Sequence, residues 1–116
     1  MNESLKQKKV GRVVKEILSA QLISLFQDSE GGLVTITRLE ISKDLKTAHV
    51  FVSVFDEEDR DAVLRRLLDL QGTFRKSVAS RSKLKYNPKL IFSLDPLVGY
   101  ENRIDQLLNG ISKNEH

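Results

Sequence analysis

"VTITRLEISKDLKTAHVFVSVF", residues 34–55, decides the fold. Leu33–Ile41 is rich in β-branched residues and reads as a strand. Its alternation slips phase: Val34 and Ile36 form one set, Leu39 and Ile41 the other. Either a bulge falls near Thr37–Arg38 or both faces are partly buried. The polar run "SKDLK" is a turn with Asp44 at its centre. "TAHVFVSVF" then alternates without a break, Ala48, Val50, Val52 and Val54 on one face and His49, Phe51, Ser53 and Phe55 on the other. Two strands this close in sequence are expected to pair antiparallel.

Helical patterns flank the pair. From about Leu5 to Phe26, Val10, Val13, Val14, Ile17, Leu18, Leu22 and Leu25 make one apolar stripe, and "DSEGG" at Asp28–Gly32 ends it. After the strands, the acids Asp56–Asp59 suit a helix N-terminus, where the macrodipole favours negative charge. That helix should bury Val63, Leu64, Leu67 and Leu68. Gly72 interrupts it, and a second helical segment resumes with Phe74, Val78 and Leu84 until Asn87–Pro88 stops it. "KLIFSL" is a third strand with Leu90, Phe92 and Leu94 on one face, "DPLVGYE" a loop, and Ile104, Leu107, Leu108 and Ile111 the stripe of a last helix. The order helix, strand, strand, helix, helix, strand, helix implies an α+β sandwich: a three-stranded sheet with helices on one face, the third strand reaching it only after two helices. Residues 1–116 read as one domain with frayed ends at about 1–5 and 112–116.

Composition narrows the chemistry. With no cysteine, a disulfide framework, a zinc-thiolate site and a Cys nucleophile are excluded, and a reducing compartment fits. No apolar run is long enough to span a membrane, and the start lacks a signal-peptide core, so a cytoplasmic protein with no membrane association is expected. The formal net charge is only +3, but it is unevenly spread. Lys6, Lys8, Lys9, Arg12 and Lys15 face a single acid, Glu3, in the first fifteen residues. From Leu70 to Leu94 there are six basic residues (Arg75, Lys76, Arg81, Lys83, Lys85 and Lys89) and no acid. The remainder is net acidic. Two cationic segments on an acidic body point to an anionic partner met by one face.

Catalytic constellations are wanting. There is no glycine-rich phosphate loop of the Walker or dinucleotide kind. His49 lies mid-strand and His116 is the last residue, so no nucleophile–base pair assembles around them. Asp56–Asp59 lack the spacing of a calcium loop. A non-enzyme without metal or cofactor is expected. Phe74 fits the helix stripe as a core residue, whereas Tyr86 suits either burial or stacking on a base.

The order of elements is similar to that of the type II K-homology domain, an RNA-binding fold whose hallmark is a Gly-x-x-Gly loop between two helices. Here Gly72 stands at that junction with Arg75 in the place of the second glycine. With the sequence around it, this resembles the ribosome-binding factor A family of bacterial small-subunit assembly factors. The resemblance rests on Val34–Phe55, on "GTFRKSVASRSKLKYNPKLIFSLD" at Gly72–Asp95 and on "YENRIDQLLNGI" at Tyr100–Ile111, and it spans about Lys8 to Ile111. In that family an Ala-x-Gly kink replaces the glycine loop; Gly72 matches it and Leu70 stands in the alanine position. The resemblance implies a monomeric, non-catalytic protein whose partners are the immature 30S subunit and 16S ribosomal RNA, near the 5′-terminal helix and the neck, with other assembly factors as further partners. It implies a role in late maturation and rRNA processing.

On this reading the RNA-binding residues are Lys8, Lys9, Arg12 and Lys15 of the first helix with Gly72, Arg75, Lys76, Arg81, Lys83, Lys85 and Lys89, merged into one cationic surface if the helices lie side by side. Arg75 is the favoured single contact, an ion pair with Asp69 being its alternative role. Two other readings remain open: a generic K-homology RNA binder, and a protein-interaction module using the acidic helix 56–69 and a sheet face carrying Phe51 and Phe55.

Overall fold

A computed structural model describes residues 3–26, 33–85 and 87–95. The element order is α1 (Leu5–Phe26), β1 (Val34–Ile41), β2 (Thr47–Val54), a 3-10 turn (Glu57–Asp59), α2 (Arg60–Asp69), α3 (Gln71–Arg81) and β3 (Lys89–Leu94). The segment "DSEGG", Tyr86, the loop after Asp95 and the expected last helix lie outside the described residues.

The sheet order is β1-β2-β3, with β1 antiparallel to β2 and β3 parallel to β2. Parallel pairing of β2 and β3 requires a crossover connection, which α2 and α3 supply. The phase slip in β1 is a bulge. Ile36 pairs with Val52 and Arg38 with Phe51, so Thr37 is the extra residue. The bulge returns Leu39 and Ile41 to the face already occupied by Val34 and Ile36.

All three helices cover that face. Val14, Leu18, Leu22 and Phe26 of α1 meet Val50 and Val52 of β2, Leu90 and Phe92 of β3, Val63 and Leu67 of α2, and Phe74 and Val78 of α3 in one core. α1 starts with a capping box. The Gln7 N–H donates to Ser4 Oγ at 3.1 Å and the Ser4 N–H to Gln7 Oε1 at 2.8 Å. The same buried amide donates through Nε2 to the Ile41 carbonyl at 2.7 Å, which ties the helix start to the end of β1. At the next turn Gly11 lies against the sheet, where a Cβ would meet Ile41 Cγ1 at 3.4 Å and Leu39 Cδ2 at 3.8 Å.

Four expectations are corrected. The acids Glu57–Asp59 form a 3-10 turn and make no side-chain cap, while Glu57 pairs with Arg60 at 3.4 Å. Leu68 is exposed, because α2 rests on β3 along a narrow strip centred on Val63 and Leu67. The second helix ends at Arg81, not at Asn87. Ser82 is extended (φ −121°, ψ 165°) and its Oγ accepts from the Leu84 N–H at 3.4 Å, so Leu84 reaches the core from a loop. Phe51 is buried although it faces away from the helices. The Arg38 guanidinium lies 4.0 Å above its ring, and the His49 ring stacks beside it at 4.1 Å.

Candidate nucleic-acid interface

All eleven sequence-predicted residues are solvent-exposed. Their positions depend on how α3 lies on α1. Gln21 Nε2 donates to Ser77 Oγ at 2.6 Å, and Ser24 and Leu25 share a groove with Thr73 and Phe74. At the other end of α1, Lys6, Lys9 and Val10 share a groove with Lys83, Leu84 and Lys85. The two helices therefore run antiparallel, and the loop that follows α3 returns beside the first turns of α1.

This arrangement splits the basic residues of α1. Successive helical residues are about 100° apart around the axis. Lys6 and Lys9 fall on the flank that α3 and its loop occupy, whereas Lys8, Arg12 and Lys15, spaced by four and three, share the opposite flank. The expected single surface joins Lys9 to Lys83 and Lys85 and leaves the other three apart. Lys6, which the sequence reading did not place in the site, lines the same groove.

The groove between α1 and the loop has a volume of about 230 Å³. Its rim is Lys6, Lys9, Lys83 and Lys85, and its floor is apolar: Val10, Leu84 and Leu45 from the β1–β2 turn. Leu45 has φ 65°, the only non-glycine described residue with positive φ. The turn is held by Leu45 N–H to the Ser42 carbonyl at 2.9 Å and by Asp44, whose Oδ1 accepts from Ser42 Oγ at 2.6 Å and the Lys46 N–H at 3.0 Å. The Ser42 hydroxyl first, then the Lys46 amide, keep the Asp44 carboxyl below the usual carboxylate range. An apolar residue inside a polar turn was the sequence signal for Leu45.

The far side of the same loop belongs to Arg75. Its Nη2 donates to the Asn87 carbonyl at 3.0 Å, and no ion pair with Asp69 forms among the described residues. One of five guanidinium donors is used there, which leaves the fork able to meet a phosphate. Lys89 follows the loop at the start of β3, where its N–H donates to the Lys46 carbonyl at 2.8 Å. Lys76 stands apart, on the solvent face of α3 with Gly72, and Arg81 lines the shallow groove between α1 and α3.

At the α2–α3 junction a single residue, Leu70, separates the helices (φ −97°, ψ 6°). Its N–H bonds back to the last carbonyls of α2 and its side chain packs on the core. The large residue is accommodated by burial, and no Gly-x-x-Gly loop stands out from the surface. Gly72 lies within the first turn of α3, with open space where a Cβ would project.

Over the outer sheet face, Asp95 is buried. It accepts from Thr37 Oγ1 at the bulge and lies 4.0 Å from Arg38 Nε. His49 Nε2 is 3.0 Å from Ser93 Oγ, a cross-strand contact. Among the described residues no group of three or more His, Cys, Asp or Glu side chains is placed to hold a metal ion, and no helix is long and apolar enough to cross a membrane.

The model of one protein family, Ribosome-binding factor A, matches residues 6–108. The chain belongs to that family. The Ribosome-binding factor A of Brevibacillus brevis is 39% identical over 105 residues, which cover 90% of this chain and 87% of that one. A Thermotoga maritima protein solved by NMR is 27% identical and superposes with a TM-score of 0.65 over 80% of this chain and 90% of its own. Thermus thermophilus ribosome binding factor A, as a homology model fitted into a cryo-EM map of its 30S complex, is 24% identical and shares the fold with a TM-score of 0.62 over 73% of this chain and 90% of its own. The family match takes in α1 from its second residue, the bulged strand pair, the Leu70 junction and the lysine-rimmed groove.

Proposed function

We propose that this protein is a non-catalytic assembly factor that binds the immature 30S subunit through 16S ribosomal RNA, near the 5′-terminal helix and neck, and promotes late maturation. The observation that carries the reading is the convergence of Lys6, Lys9, Lys83 and Lys85 at one end of a chain of the ribosome-binding factor A family. The Thermus relative fitted into a 30S complex supports the partner.

The physics suits the task. Ribosomal RNA presents closely spaced phosphates, and each lysine that neutralises one releases condensed counterions. Folded RNA is met mainly through shape, phosphates and 2′-hydroxyls, so exposed basic side chains need no base-reading pocket to hold it. Such a factor acts by binding one RNA conformation better than its competitors. To drive a conformer from rare to dominant it needs roughly a 10⁴-fold preference. The same preference causes release once maturation removes the favoured conformer.

Co-sedimentation across a salt series tests the reading, with free small subunits, mature ribosomes and naked ribosomal RNA as targets. Selective, salt-sensitive binding to free small subunits is the expected result. Equal binding to all three reduces the protein to a generic RNA binder, and no binding at low salt sinks the reading. The interaction-module alternative loses support from Phe51, which Arg38 and His49 cover, and keeps the exposed Phe55 and the exposed acids of the 56–69 stretch.

A further inference from the structure

The groove is not built for phosphate alone. Four lysines would suffice for a polyanion, yet they surround an apolar floor of Val10, Leu45 and Leu84. That floor gains nothing from a phosphate and remains wetted unless something apolar covers it. Leu45 sharpens the point. Its φ of 65° is one that glycine or asparagine adopts more readily, so the leucine is held there at a backbone cost. Its side chain packs on the edge of the core and forms the middle of the floor.

We infer that the lysine-rimmed groove seats one unpaired nucleotide of RNA, its base lying on Val10, Leu45 and Leu84 and the flanking phosphates on Lys6, Lys9, Lys83 and Lys85. The inference rests on the proposed RNA partner and specifies the form of RNA it takes. A base has two apolar faces and unpaired strands can present them, whereas a duplex keeps its bases stacked and paired. The volume of about 230 Å³ is below the usual range of drug-sized ligand pockets, which fits a single planar group. The site is separate from the helix junction: Gly72 lies in the first turn of α3, and Lys83 lies beyond Arg81 at its other end, with about 13 Å of helix between Gly72 and Arg81.

The test uses the full chain with labelled methyl groups and three probes: a short unpaired RNA, a blunt RNA duplex of equal charge, and an acidic peptide of equal charge. The unpaired RNA should shift the methyl signals of Val10, Leu45 and Leu84, while the duplex and peptide leave them in place. Leu45→Gly, which relieves the backbone and removes the floor, should weaken unpaired RNA about fivefold without changing the salt slope. Lys9→Gln combined with Lys83→Gln should weaken it about tenfold and lower the salt slope by about 1.4. Silent floor methyls, equal affinity for the duplex, or the same shifts with the peptide would overturn the inference. The wild-type methyl readout requires no variant to fold. Co-sedimentation of the wild type with small subunits, run alongside, shows separately whether the broader reading stands.

Discussion

Gln7 shows how one side chain can set a helix on a sheet. Its carbonyl oxygen caps α1 through the Ser4 N–H and its amide nitrogen satisfies the Ile41 carbonyl, with the group buried between them. Replacing it with leucine keeps the bulk and removes both bonds. Gln7→Leu should destabilise the fold by about 1–3 kcal/mol, because a buried acceptor and a helix-cap donor both lose their partner. Urea unfolding at constant m-value measures this. Arg75 has a looser structural tie, one exposed bond to Asn87. Arg75→Ala should therefore cost less than about 1 kcal/mol of stability, yet lower the salt slope of RNA binding by about 1. An unchanged slope would leave Arg75 only the task of holding the loop. The basic character of Arg75 was plain in the sequence; its bond to Asn87 was not, because that contact depends on where the chain turns after α3.

At the scale of elements, the strand pair was the most legible part. β-branched runs, a polar turn and a slipped alternation pointed to two antiparallel strands and left a bulge near Thr37–Arg38 or two part-buried faces as alternatives; the register shows the bulge, which keeps both halves of β1 on the core. Less legible was how much of each helix meets the sheet. Leu68 carries the right periodicity on α2 but stays exposed, with no neighbour among the described residues that buries it. The end of α3 was misplaced because Ser82 leaves the helix before the proline requires it. The α2–α3 junction yields its own test. Gly72 is helical with open space around its Cα, so Gly72→Ala should raise stability by about 0.5–1 kcal/mol. If RNA approaches the backbone there, the same change should weaken subunit binding. A stabilised variant that binds subunits as tightly as the wild type would remove Gly72 from the interface.

For the whole molecule, the question is which cations act together. Charge along the sequence indicated two basic segments, and the periodicity of α1 put its basic residues largely off the apolar stripe. Neither told which flank α3 would cover, because that follows from packing Phe74 and Val78 into a shared core. Packing makes Lys9, Lys83 and Lys85 neighbours and turns Lys8, Arg12 and Lys15 away. Neutralising either trio with glutamine removes the formal net charge of +3 and alters long-range steering equally. Any difference in binding between the two variants must then come from location. The Lys9, Lys83, Lys85 variant should lose the larger share of small-subunit affinity, with a salt slope lower by about 2 if each lysine meets a phosphate of an unpaired strand. The Lys8, Arg12, Lys15 variant should retain most of the slope. Equal losses in the two would mean that RNA reaches both flanks of α1, so that the bound surface wraps the helix instead of closing on the end where the loop meets it.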